Sequence, residues 1–203
     1  MERKRNIDEL LEELGAQAPE GYYISLHLRF ASPLMTYQTY NQAWIDHYTR
    51  HSYLLRDPLV AWGVSRTGTT RWSELDLPDP FGIFAEAAEY GLRYGMSVAC
   101  GPTTSRTIAS LARADREFSD EEIETVRAIV EALHAATEPP AALTPAEAEA
   151  LRIVASGERY AAGAARLGIS ESAFKARLKS ARTKLFARTS AEAIQRAKEY
   201  RLI

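Results

Sequence analysis

The chain has 203 residues, 46% of them hydrophobic and 26% charged, with a net charge of −2. That composition excludes a disordered or fibrous chain, and no stretch approaches the roughly 20 apolar residues needed to cross a bilayer. The single cysteine, Cys100, excludes an intramolecular disulfide and any multi-cysteine zinc site.

Met1 to Leu10 is basic at its start but carries no apolar core and no small-residue cleavage site. No signal peptide is therefore expected, and the expected location is the cytoplasm. A charged first helix is expected at about residues 6–14, then a strand within Tyr22 to Phe30, whose later part alternates. The pattern predicts a helix from about Tyr37 to Arg50 and a turn or short helix after Asp57-Pro58. Phe81 to Tyr90 reads as helix, Met96 to Gly101 and Thr104 to Ala112 as strands, and Asp120 to Ala136 as a closing helix. The fold class expected is α+β, with an N-terminal α/β/α sandwich around an antiparallel sheet and room for an internal ligand.

On the predicted second helix Tyr40, Trp44 and Tyr48 recur at i, i+4 and i+8 and would share one face, as a core stripe or as the wall of a site. Asp57, ahead of Pro58, can cap a helix or accept a hydrogen bond from a ligand. Tyr53, Trp62, Phe84, Tyr94 and Met96 can line a cavity or be plain core. His47 and His51 form an H-x3-H pair, but Tyr48 stands where a metalloprotease helix carries glutamate. With no evident third ligand they read as exposed helix histidines. There is no G-x-S-x-G, P-loop or G-x-G-x-x-G, and Cys100 lacks a nucleophile motif, so neither an enzyme, a metal nor a cofactor is expected.

Composition changes at Thr137-Glu138-Pro139-Pro140. Residues 1–140 carry 13 Lys+Arg against 21 Asp+Glu, residues 141–203 carry 12 against 6, and 15 of the 19 aromatic residues precede position 141. Adjacent prolines stop the preceding helix. The expected organisation is residues 1–137 as one domain, 138–142 as a linker and 143–203 as a small basic all-α domain.

Four helices are expected after the linker: Pro145 to about Ser156, Tyr160 to Leu167, Glu171 to Leu185 and Ala191 to Arg201. A four-helix bundle is expected of them. A short helix, the turn Gly168-Ile169-Ser170 and a longer basic helix have the shape of a helix-turn-helix. In the third helix Phe174, Leu178, Ala181 and Leu185 make the apolar stripe. Ser172, Lys175 and Lys179 lie on the opposite face, flanked by Arg177, Arg182 and Lys184, and these six are the candidate DNA contacts.

Leu143 to Leu151, Ala155-Ser156-Gly157, Leu167-Gly168-Ile169-Ser170-Glu171 and Lys184-Leu185 together resemble the DNA-binding domain of LuxR-type transcription regulators, with Glu147, Leu151 and Gly157 at the family's most characteristic positions. The match departs where Gly163 replaces a packing isoleucine, and glycine costs about 1 kcal/mol against alanine inside a helix. Tyr40-x3-Trp44-x3-Tyr48-x8-Asp57-Pro58-x13-Trp72, with Gly91, Gly95 and Ile108 to Ala112, resembles the acyl-homoserine-lactone domain of the same family.

The resemblance implies a quorum-sensing regulator that binds an N-acyl-homoserine lactone in the first domain. It would bind palindromic double-stranded DNA as a homodimer through the second. It implies that Trp44 donates to the lactone carbonyl, that Asp57 accepts from the amide N–H, and that Tyr40 and Ser110 donate to the amide carbonyl. Tyr48 and Trp72 would wall the site. Ile123, Val126, Ile129, Val130 and Leu133, with Ile194 and Ala197, are dimer-interface candidates or core. Two alternatives stand beside this reading. One is an interaction protein forming inactive heterodimers; the other is a solo regulator sensing a non-lactone ligand or none.

Overall fold

The computed structural model describes residues 6–28, 33–138 and 143–203. Two compact units meet at the Glu138/Pro139 boundary. The expected linker lies, apart from Glu138, outside the described residues, as do Arg29 and Phe30 at the end of the expected first strand.

In the first unit α1 (Ile7–Ala16) precedes β1 (Tyr22–Leu28) and β2 (Met35–Gln38), followed by α2 (Gln42–Arg50) and α3 (Pro58–Ser65). Then come β3 (Gly68–Arg71), α4 (Ile83–Glu89), β4 (Tyr94–Cys100), β5 (Arg106–Arg113) and α5 (Asp120–Ala136). The five strands form one antiparallel sheet in the order β2-β1-β5-β4-β3. Successive side chains of a strand point to opposite faces, and the sheet uses both. Ile24 and Leu26, Met96 and Val98, and Ala109 and Leu111 point to α1 and α5, where they bury Leu10, Leu14, Val126, Val130 and Leu133. The intervening positions Gly95, Ser97, Ser110 and Ala112 face the other way, toward a second cluster built on Trp44, Tyr53, Ile83, Ala87 and Leu92.

Two expectations about α2 and its surroundings are corrected. The chain does not enter a helix at Tyr37: Met35–Gln38 pairs with β1 as an edge strand. Asn41 then caps α2 by accepting from the Trp44 N–H at 2.8 Å, so Tyr40 precedes the helix and only Trp44 and Tyr48 share its face. β3 is an addition; four residues, Gly-Thr-Thr-Arg, are too short to show an alternating pattern. At α5 Ser119 and Glu122 close a capping box. Its Ile123, Val126, Ile129, Val130 and Leu133 are all buried in the unit's own core, which resolves them as core.

The second unit contains α6 (Pro145–Ala155), α7 (Tyr160–Arg166), α8 (Glu171–Lys184) and α9 (Ser190–Glu199). Thr144 and Glu147 close a capping box at α6, and Ser170 caps α8 by accepting from the Ala173 N–H. Gly157 adopts φ +87° just beyond α6, a left-handed conformation that glycine takes without steric cost. Phe174, Leu178, Ala181 and Leu185 are buried against Leu151, Ile153, Ala164, Ala193 and Ala197, with Ile194 packed partly buried against them. Gly163 leaves no hole: a Cβ there would come 2.7 Å from Ile153 and 2.9 Å from the Phe174 ring. The expected weakness of α7 is thus offset by a ring and a branched side chain that occupy the missing side chain's space. No described helix is long and apolar enough to cross a membrane.

Candidate functional site

The sheet face opposite α1 and α5 carries a connected set of polar groups. From β5, Ser110 offers a hydroxyl and a carbonyl. The Tyr40 hydroxyl donates to that carbonyl at 2.8 Å, and the Trp72 indole N–H donates to the Ser110 hydroxyl at 3.2 Å. From the adjacent β4, Ser97, fully buried, donates its hydroxyl to the same Ser110 oxygen at 3.1 Å. Trp72 lies flat against β4 because residue 95 is glycine; a Cβ there would overlap the indole ring.

Across from this pair, α2 supplies Trp44, 6% exposed, and Tyr48, whose rings meet edge-on with centroids 5.6 Å apart. Tyr48 donates to Asp57 Oδ2 at 2.8 Å, while Asp57 Oδ1 accepts the Leu59 N–H at 2.7 Å and so caps α3. Both sequence readings of Asp57 are therefore compatible: one oxygen caps, and the carboxylate has lone pairs left for a further donor. Burial raises the Asp57 pKa, opposed by the hydrogen bonds from Tyr48 and Leu59. Burial also pushes the Tyr40 and Tyr48 hydroxyls up, so both remain neutral donors. For Tyr40 the nearby Ser110 hydroxyl works against that rise.

All six expected ligand residues thus belong to one neighbourhood. Tyr40, Tyr48 and Trp72 pack around the cluster that contains Trp44, Asp57 joins through Tyr48, and Ser110 through Tyr40 and Trp72. One detail shifts: the Tyr40 proton is already donated to the Ser110 carbonyl, so a ligand would have to compete for it. Ser97 was not legible as a member. Nothing in the sequence marks a serine in an apolar strand until the β4·β5 register sets it opposite Ser110.

Around Trp44 lies a further polar group. His47 Nε2 lies 2.5 Å from Glu86 Oε2, which also accepts the Tyr53 hydroxyl at 2.7 Å. His47 is therefore a half-buried partner of Glu86, in contrast to the exposed histidine expected. Among the described residues no group of His, Cys, Asp and Glu is arranged to hold a metal ion. Of the possible cavity-lining residues, Met96 is fully buried on the α5 side of the sheet and is core. Burial lifts the Cys100 thiol to about 11, leaving it unreactive at neutral pH.

In the second unit Ser172, Lys175, Ala176 and Lys179 are exposed on α8. They line an open groove of about 390 Å³ together with Tyr160, Arg182 and Ser190. Lys175 pairs with Glu171 at 2.6 Å. Arg182 has a buried Nε without a hydrogen-bond partner among the described residues, and Arg177 is half-buried on the flank. Lys184 turns inward: its ammonium lies 2.9 Å from Glu147, which also accepts from Ser180 at 2.7 Å and from the Thr144 N–H at 2.8 Å. Burial would raise the Glu147 pKa, but Lys184, Ser180 and Thr144 outweigh it and hold the carboxyl at about 2.

Comparison with known proteins follows the same division. Residues 9–137 match the model of the autoinducer binding domain family. No curated protein sequence matches the chain. Among solved structures, Escherichia coli SdiA aligns with 99% of this chain and 93% of its own, at 23% identity and a TM-score of 0.55. SdiA in complex with octanoyl-rac-glycerol aligns over 98% and 90%, at 22% identity and a TM-score of 0.54. CepR2 from Burkholderia cenocepacia, described as an N-acylhomoserine-lactone-dependent LuxR family transcription factor, aligns over 66% and 84%, at 20% identity and a TM-score of 0.50. At these identities the solved structures speak for the fold. The family match covers well over half of the chain, which belongs to the autoinducer-binding domain family.

Proposed function

We propose that this chain is a LuxR-type quorum-sensing transcription regulator that binds an N-acyl-homoserine lactone in residues 1–137 and DNA, as a homodimer, through residues 143–203. The observation that carries the reading is the convergence of Tyr40, Trp44, Tyr48, Asp57, Trp72 and Ser110 on one sheet face. A lactone head group offers two carbonyls and one amide N–H, and leaving such groups unpaired on burial costs about 1–3 kcal/mol each. In this reading Trp44 donates to the lactone carbonyl and Asp57 accepts from the amide. Ser110, with Tyr40 beside it, meets the amide carbonyl, while Tyr48 and Trp72 form the walls.

The basic groove on α8 supports the second half of the reading. Lys175 and Lys179 would reach base edges or phosphates, and Ser172, Arg177 and Arg182 would hold phosphates. Lys184, bound to Glu147, would instead fix α8 against α6. The inactive-heterodimer alternative drew in part on Gly163, and the packing of Ile153 and Phe174 at that residue removes that part of its support.

The test is the thermal unfolding midpoint of the purified chain against acyl-homoserine lactones of graded length and 3-position oxidation, with 1-octanoylglycerol as a non-lactone arm. A ligand at about 100 times its Kd stabilises by about 2.7 kcal/mol, which is several degrees for a domain of this size. The expected result is a shift with one class of lactone that is lost in Trp44→Phe. A shift with the glycerol ester alone would replace the lactone by another acylated head group. No shift with either would refute ligand sensing of this kind.

A further inference from the structure

The Ser97–Ser110 pair does more than fill the sheet. A hydroxyl oxygen has two lone pairs and one proton. At Ser110 both lone pairs are engaged from within the protein, one by the Trp72 indole N–H at 3.2 Å and the other by the Ser97 hydroxyl at 3.1 Å. Neither donor can be redirected at little cost. The indole N–H has no acceptor capacity to exchange, and its ring is held against Gly95. Ser97 has no exposure to solvent, so water cannot take up its proton if it turns away. The Ser110 proton is then the one hydrogen-bonding element of that hydroxyl left over, and it has the Tyr40 phenol oxygen within reach as an acceptor, a contact that a ligand carbonyl at the same point would replace. The Tyr40 proton is itself committed to the Ser110 carbonyl at 2.8 Å.

We propose that Ser97 is a positioning residue of the ligand site: by donating to Ser110 it fixes the Ser110 hydroxyl as a donor and makes the site select a ligand that presents a carbonyl-type acceptor at that point. The inference rests on the ligand reading given above. It adds that discrimination at the amide carbonyl depends on a residue that touches no ligand. Without Ser97 the Ser110 oxygen has a free lone pair, its proton is no longer constrained, and the hydroxyl meets a carbonyl in the correct orientation only part of the time.

The test is a double-mutant cycle on the full-length chain, reading the Kd of the best lactone from the panel by titration calorimetry. Midpoints of the unliganded variants check folding. Ser97→Ala is expected to weaken binding about five- to tenfold, the scale of one hydrogen bond's net contribution. Ser110→Ala is expected to weaken it at least as much, and the double variant to bind like Ser110→Ala alone. Ser97→Thr, which restores a hydroxyl, is expected to recover most of the affinity. Equal losses from Ser97→Ala in the two backgrounds would overturn the proposal, because a merely structural role of Ser97 adds independently of Ser110. So would an unchanged Kd in Ser97→Ala. If the unaltered chain binds no lactone, the ligand reading fails and the inference falls with it, a result separate from additivity among variants that bind.

Discussion

Asp57 holds a place in the fold and, in the reading proposed above, a place in the ligand site. Its two oxygens already accept the Leu59 N–H and the Tyr48 hydroxyl, and burial raises its pKa. A carboxyl whose folded pKa lies above its unfolded value costs stability as pH rises through that interval, because the folded chain holds the proton more tightly. In the proposed reading, the donor that arrives with the ligand offsets that cost. Asp57→Asn keeps an oxygen for the α3 cap and can reverse its bond with Tyr48, since the phenol oxygen accepts as well as donates. The unliganded midpoint at pH 7 is expected to stay within about two degrees of the unaltered chain or to rise. Lactone affinity is expected to fall about 10- to 100-fold, the value of a charge-assisted hydrogen bond. Midpoints with and without ligand check both halves, and a large loss of unliganded stability would instead make the cap the dominant role.

At the scale of elements, the α6–α8 contact is held by a buried charge. Glu147, 5% exposed, binds Lys184, Ser180 and the Thr144 N–H, and its pKa is lowered to about 2. A depressed carboxyl stabilises above its unfolded pKa and loses that contribution as pH falls from about 4.5 toward 2. Lys184 is 38% exposed on its side chain, so solvent screening reduces the gain to on the order of 2 kcal/mol. Glu147→Gln is expected to destabilise the second unit at pH 7 and to flatten the acid-side dependence of its unfolding midpoint; a dependence unchanged from the native chain would remove Glu147 from that role. The sequence can show the Thr144–Glu147 capping box, a T-x-x-E pattern, because capping is local. It could not announce Lys184, 37 residues on, whose basic neighbours made it look like one more phosphate contact. Periodicity likewise found α5, the α8 stripe and the β1 strand. It missed the α2 boundary and β3, where Asn41 as a cap and pairing with distant strands outvoted the local pattern. Spacing brought out the Tyr40, Trp44 and Tyr48 stripe, and the family resemblance the other three candidate ligand residues, whereas Ser97 depended on strand register, a property of two segments together.

Over the whole molecule, charge is segregated along the chain: an excess of eight acidic residues up to position 140 and of six basic residues after it. A chain with net charge −2 would be a poor polyanion ligand if its charges were mixed. Collected in the second unit, and exposed on α8 beside the groove, the cations can still displace counterions from a duplex. In the proposed reading, salt dependence separates DNA-facing cations from structural ones. For a dimer, the slope of log Kobs against log salt on a short palindromic duplex counts the phosphates neutralised, at about 0.9 per contact. Lys179→Ala and Arg182→Ala, taken one at a time, are each expected to lower the slope by about two, one contact per protomer, with little change in the unfolding midpoint. Lys184→Ala is expected to do the reverse, leaving the slope unchanged and lowering the midpoint, because its charge is spent on Glu147 at 2.9 Å. Equal slope losses for Lys179 and Lys184 would mean that the Glu147 pair opens on DNA. An unchanged slope in the Lys179 and Arg182 variants would remove the α8 groove from the DNA interface.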